Sequence, residues 1–177
     1  AIMASTDGSR TPKPFPGRIA LNGNDSSGDA RIQRIVAGNR RGGADRRRQD
    51  PISIANYRNV TLGGVDASYT GDGRRPVAHL EINKGITGNI TINGDVNLHS
   101  TYEQDRQDAT QRGKTHIACK GTVTLASLDL DKVQFIVMES GSGASVIKGA
   151  IANFDTDEAT GAGTANGPKI SNETRLR

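Results

Sequence analysis

Residues 59–66 read NVTLGGVD, residues 89–96 read NITINGDV and residues 122–129 read TVTLASLD. The central threonines are Thr61, Thr91 and Thr124, so the motif returns after 30 and then 33 residues. Self-similarity at such a period is the mark of a repeat architecture. Within each copy the aliphatic residues alternate: Val60 and Leu62, Ile90 and Ile92, Val123 and Leu125. Successive side chains of an extended chain point to opposite faces. Each copy therefore turns two aliphatic side chains inward and its threonine outward.

Moving outward from the motif, a second short strand precedes each copy: Ile52–Ile54, Leu80–Ile82 and His116–Cys119. A third follows at Val65, at Val96–Leu98 and at Leu128–Leu130. A degenerate fourth unit runs from Val133–Val137 through Ser145–Ile147 to Ile151. Three short strands per unit, broken by Gly and Asn, predict an all-β parallel β-solenoid, or β-helix. Its coils stack about 4.8 Å apart around a narrow aliphatic core. No window keeps a 3.6-residue apolar period long enough for a helix. The alternative is a β-sandwich or jelly roll using the same strands as antiparallel hairpins, for which Asn93-Gly94 is a suitable turn.

The stretches PISIANYRNVTLGGVDAS (51–68) and HLEINKGITGNITINGDVNL (79–98) resemble coils of right-handed parallel β-helix proteins. That class includes bacterial surface adhesin passengers and polysaccharide-active enzymes. The resemblance covers about residues 51–154 and implies a secreted, surface-exposed solenoid.

Around this core the reading expects extended terminal arms. Residues 1–17 form an N-terminal arm, in which Pro12, Pro14 and Pro16 favour polyproline II. Residues 18–158 form the all-β core, with its repeats at 51–154. Short strands are expected at Arg18–Leu21 and Gln33–Ala37, with a polar turn at 22–30 between them. Residues 159–177 are a flexible linker, rich in Gly, Ala and Thr, and a C-terminal tail.

Composition supports a narrow core. Hydrophobic residues make up 33% of the 177 residues and aromatics only 3%, with 22 glycines and no tryptophan. A single cysteine, Cys119, allows no intrachain disulfide, and in a strand it reads as a buried, inert thiol. No apolar run approaches a membrane span. The chain opens on Ala1 rather than Met, which fits a processed mature form and equally a trimmed one. The N-x-S/T acceptors Asn24, Asn59, Asn89 and Asn172 add support for an extracellular or cell-surface location.

The net charge of +4 is concentrated in one run containing Arg40, Arg41, Arg46, Arg47 and Arg48. These arginines are candidates for contact with a polyanion, such as an anionic glycan, or with a neighbouring subunit. The run lacks interleaved aromatics, so nucleic acid is not favoured. Asp155, Asp157 and Glu158 are the candidate ligands for calcium, which suits hard oxygen donors in loops. No other cofactor is expected. His79 and His116 fall at similar places in two units and are expected to share a face. Asp66, Asp95, Asp129 and Asp131 are the acids a polysaccharide-cleaving solenoid would use, and turn formation accounts for the same residues. No nucleophile elbow, Walker sequence or dinucleotide fingerprint occurs, so no enzyme activity is expected.

The expected function is that of an extracellular structural protein, a self-assembling subunit of a fibre, sheath or surface layer, whose partners are copies of itself. Ile2, Phe15, Ile170 and Leu176 are the anchors by which the arms would contact a neighbouring subunit. The alternatives are a carbohydrate-binding or polysaccharide-cleaving β-helix and a basic nucleic-acid-binding viral shell protein.

Overall fold

The computed structural model describes residues 2–3, 19–36, 52–66, 80–98, 114–129, 135–152, 170–171 and 174–176. All of its regular structure is strand. In chain order the strands are β1 (Ile2–Met3), β2 (Ala20–Asn22), β3 (Ala30–Ile32) and β4 (Ile35–Val36). Then come β5 (Ile52–Ala55), β6 (Val60–Leu62), β7 (Val65–Asp66), β8 (Leu80–Lys84), β9 (Ile90–Ile92) and β10 (Val96–Asn97). β11 (Lys114–Cys119), β12 (Val123–Leu125), β13 (Leu128–Asp129), β14 (Phe135–Ser140), β15 (Ser145–Ile147) and β16 (Ile151–Ala152) follow. β17 (Ile170–Ser171) and β18 (Thr174–Leu176) complete the series.

Every third strand joins the same sheet. Sheet A is β1-β4-β7-β10-β13-β16, sheet B is β2-β5-β8-β11-β14-β17 and sheet C is β3-β6-β9-β12-β15-β18. Every pairing is parallel. The fold is therefore a three-faced parallel β-solenoid, wound in the order B, C, A. Asn93-Gly94 makes a corner between two faces, not the hairpin a sandwich would need.

The repeat motif lies on sheet C, in register: Val60, Ile90 and Val123 form one stack, and Thr61, Thr91 and Thr124 the next. The inward stack Ile32, Leu62, Ile92, Leu125 and Ile147 runs beside it. Sheet B contributes Ile52, Ile54, Leu80, Ile82, Ile117 and Met138, and sheet A contributes Ile35, Val65, Val96 and Leu128, all buried. Short strands with one or two inward positions each suffice because three faces close on one thin core.

Two corners are short. Sheet C passes to sheet A through 33–34, 63–64, 93–95, 126–127 and 148–150. Sheet B passes to sheet C through turns such as 56–59 and 120–122. The long intervals all fall at the third corner, from sheet A to the next sheet B strand: 4–19, 37–51, 67–79, 98–113 and 153–169. Loop closure costs grow only slowly with length, so one corner can vary freely while the strands keep their pairing, with one register shift between β5 and β8 at Ser53–Ala55.

The structure corrects the sequence reading at both ends. The repeat is not confined to 51–154. A further coil, β2-β3-β4, precedes it, and its strand β3 occupies residues assigned in part to a polar turn. The segments 1–17 and 159–177 are not only arms. β1 pairs with β4 (Ile2 opposite Ile35), β17 with β14 (Ile170 opposite Ile136) and β18 with β15 (Leu176 opposite Ile147). Ile2, Ile170 and Leu176 thus lie in the outermost strands of their own chain's sheets. Phe15 lies outside the described residues.

Candidate functional site

The corner between sheets B and C is built by a polar ladder. Asn59 stands just before β6 and Asn89 just before β9. The Asn89 backbone N–H donates to Asn59 Oδ1 at 2.9 Å, and the Thr122 N–H donates to Asn89 Oδ1 at 2.9 Å. Asn59 Nδ2 in turn donates to Asp29 Oδ1 at 3.0 Å. Each amide thereby holds two coils together at a point where the strand ladder is interrupted. Gly121 is required in this stack, because a Cβ there would overlap Asn89 Oδ1 and the Gly88 carbonyl.

Asp29 closes the ladder at its first coil. Arg58 grips its carboxylate with two hydrogen bonds of 3.0 Å, from Nε and from Nη2. The Arg58 hydrogen bond holds the Asp29 carboxyl down at about 2, so it stays ionised through ordinary acid conditions. The neighbouring turn reaches further. Ser26 Oγ donates to the Gly85 carbonyl at 2.7 Å, and Thr87 Oγ1 donates to the Ser26 carbonyl at 3.2 Å. The turn of the first coil therefore fastens to the third as well as to the second. Replacing Asn89 by Ala is expected to cost about 1–3 kcal/mol, since the Thr122 amide loses its acceptor. Asn89→Asp keeps an acceptor and should cost less. Urea unfolding of the two variants checks this order.

The ladder gives two of the sequence signals another meaning. Asn59 and Asn89 read as glycan acceptors because Thr61 and Thr91 follow two positions later. In the fold the asparagine is the ladder residue and the threonine is the outward residue of the strand that follows.

The faces carry the remaining candidates. On sheet A, Asp66, Asn97 and Asp129 form one outward column. Asp66 and Asp129 share a face, on strands and not in turns. Asn97 stands between them, so they lie about two strand spacings apart, roughly 10 Å. Arg34 Nη2 approaches Asp66 at 3.6 Å. Asp95 sits at the corner before β10, where its Oδ1 accepts from Ser127 Oγ at 2.8 Å.

On sheet B, His116 is opposite Glu81. Its two ring nitrogens are both engaged. Nδ1 meets Asn83 Nδ2 at 2.9 Å, and Nε2 meets Glu139 Oε2 at 2.9 Å. With the amide donating to Nδ1, the ring proton lies on Nε2 and is donated to Glu139. The imidazole thus ties three consecutive coils together. This cluster was not visible in the sequence, because Asn83, His116 and Glu139 are separated by intervals of unequal length.

Cys119 is half-buried, and burial pushes its thiol above the ordinary value, in keeping with an inert side chain.

No family model, curated protein or solved structure matches this chain.

The arginines Arg40, Arg41, Arg46, Arg47 and Arg48, the acidic cluster Asp155, Asp157 and Glu158, and His79, His99 and Asp131 lie outside the described residues. Among the described residues no three His, Cys, Asp or Glu side chains converge on a metal position, and no helix is long and apolar enough to cross a membrane.

The ends of the solenoid are the other distinctive feature. β1, β2 and β3 are outermost at one end, and β16, β17 and β18 at the other. Among the described residues each has a hydrogen-bonded strand on one side only. Leu21 in β2, Ile32 in β3 and Ile151 in β16 pack on the core yet are only partly buried.

Proposed function

We propose that the chain is a structural protein, a subunit that assembles with copies of itself outside the cell as a fibre, sheath or surface layer. The observation that carries this reading is the pair of open ends. An edge strand presents unpaired amides and carbonyls, a template on which another chain can pair. Repeat proteins that remain single bear terminal repeats with a polar outer face. Here the terminal coils leave Leu21, Ile32 and Ile151 partly uncovered.

Polysaccharide cleavage has less support. The two aligned acids Asp66 and Asp129 are separated by Asn97, and Asp66 is drawn to Arg34.

Sedimentation velocity over a wide concentration range, with negatively stained micrographs, tests the proposal. The expected result is growth with concentration into elongated particles. A single monomeric species at every concentration would overturn it.

A further inference from the structure

The two ends match each other. Along the chain the faces are visited in the order B, C, A, and each sheet contributes one outermost strand at either end. Among the described strands each sheet thus offers one edge at either end, so a second copy stacked there sets each sheet against its own kind.

Strand direction makes the contact polar. All pairings within the solenoid are parallel. Only a head-to-tail placement continues parallel pairing on all three faces. Turning the second copy over would set the strands antiparallel and bring at most one face onto its like.

The backbone at one end is presented for such a contact. The Ile19 carbonyl accepts from the Ser53 amide at 2.8 Å, and the Gly23 amide donates to the Ala55 carbonyl at 3.0 Å. In a parallel ladder alternate residues bond to opposite sides. The amides and carbonyls of Ala20 and Asn22 therefore point away from β5, off the end of the stack. On sheet C, the Ala30 amide donates to the Asn59 carbonyl and the Ile32 carbonyl accepts from the Gly63 amide, each at 2.9 Å. The main-chain groups of Arg31 are thereby left facing outward. Leu21 and Ile32, half-buried between these groups, bring partly exposed aliphatic side chains to the same place.

We propose that copies stack head to tail, with β1, β2 and β3 of one copy pairing to β16, β17 and β18 of the next, so that three sheets and one core run unbroken across the joint. This rests on the self-assembly reading and names its partner surface.

The test uses Ala20→Pro combined with Arg31→Pro. Each proline removes an amide that points off the end and leaves the bonds to β5 and β6 in place. The variant should keep the circular dichroism of the parent and lose the ability to elongate. Mixed with the parent chain in small proportion, it should join by its intact end and shorten the filaments as its fraction rises. Leu21→Lys with Ile32→Lys provides a second variant, which blocks the joint by charge and does not depend on tolerance of proline. If the parent assembles and both variants assemble to the same length, head-to-tail stacking is overturned while self-assembly through the faces stands. If the parent itself stays monomeric, both readings fall.

Discussion

An Ile82→Ala chain is expected to lose about 3–4 kcal/mol of stability, near the upper part of the range for aliphatic truncation in a core. Ile82 is fully buried and lies opposite Ile117 of the following coil. Its strand is hydrogen-bonded on both sides, to β5 and to β11. The surrounding backbone is thus pinned at the strand spacing and cannot close over the missing methyl groups. The lost transfer energy and the residual cavity both count. Leu21→Ala, in the half-covered end coil, should cost about 1 kcal/mol, because much of that side chain is not withdrawn from water. Urea denaturation of both variants, read at the midpoint with the slope checked for constancy, measures the contrast. Equal losses would mean that the end coils are as well packed as the centre, which would also weaken the case for an open joint.

Gly94→Ala should cost about 3 kcal/mol or more, although it adds only one methyl group. A Cβ on Gly94 would overlap the carbonyl oxygen of Gly63, the corner residue of the coil before. That oxygen belongs to backbone and cannot rotate away. Gly64 beside it is buried and bonded in turn, its carbonyl accepting from the Ile35 amide at 3.0 Å. Relief would require two stacked corners to separate, breaking the ladder bond from Asn93 to Leu62 of 2.8 Å. Gly28→Ala is the control. Nothing lies within 4 Å of a Cβ there, so its effect should be near zero. Thermal and urea unfolding of the pair separates close approach at one corner from a general intolerance of side chains at turns.

The solenoid was legible wherever inward residues were large and the outward residue was threonine. Val60-Thr61-Leu62, Ile90-Thr91-Ile92 and Val123-Thr124-Leu125 announce themselves by likeness. The same place in the first coil holds Ala30-Arg31-Ile32, where a small inward residue and a charged outward one conceal the pattern. Ile2-Met3, Ile170-Ser171 and Thr174–Leu176 were too short to read as strands without neighbours to pair with. Their pairing depends on partners up to a whole coil away, which local periodicity does not register.

The candidate site was less legible than the fold. Side chains on adjacent coils meet only if the register is known, and the long intervals between sheets A and B hide it. Asp66 and Asp129 follow the repeat motif at a fixed distance, and the register sets them in one column with Asn97 between them. His79, expected to share a face with His116, lies outside the described residues, and the register sets Glu81 beside His116. The asparagine ladder and the N-x-S/T acceptor motif coincide in letters at Asn59 and Asn89, so the ladder was not legible in the sequence. Their difference is geometric: a ladder residue must stand immediately before a strand whose first side chain points inward, as Asn59 and Asn89 do.

The confinement of the long intervals to one corner has a consequence for how such a chain can be enlarged. Two edges of the prism are bound by close contacts between turns, as at Gly63, Gly94 and Gly121, where a Cβ would overlap the coil before. The third edge already accepts segments as different as 37–51 and 130–134 without change to the strands they join. Foreign peptides grafted into successive intervals would emerge in single file along that edge, about 4.8 Å apart for each coil. The molecule is in this sense a ruler with one writable margin: the spacing of what it carries is set by the backbone, and the cargo is free to differ from mark to mark.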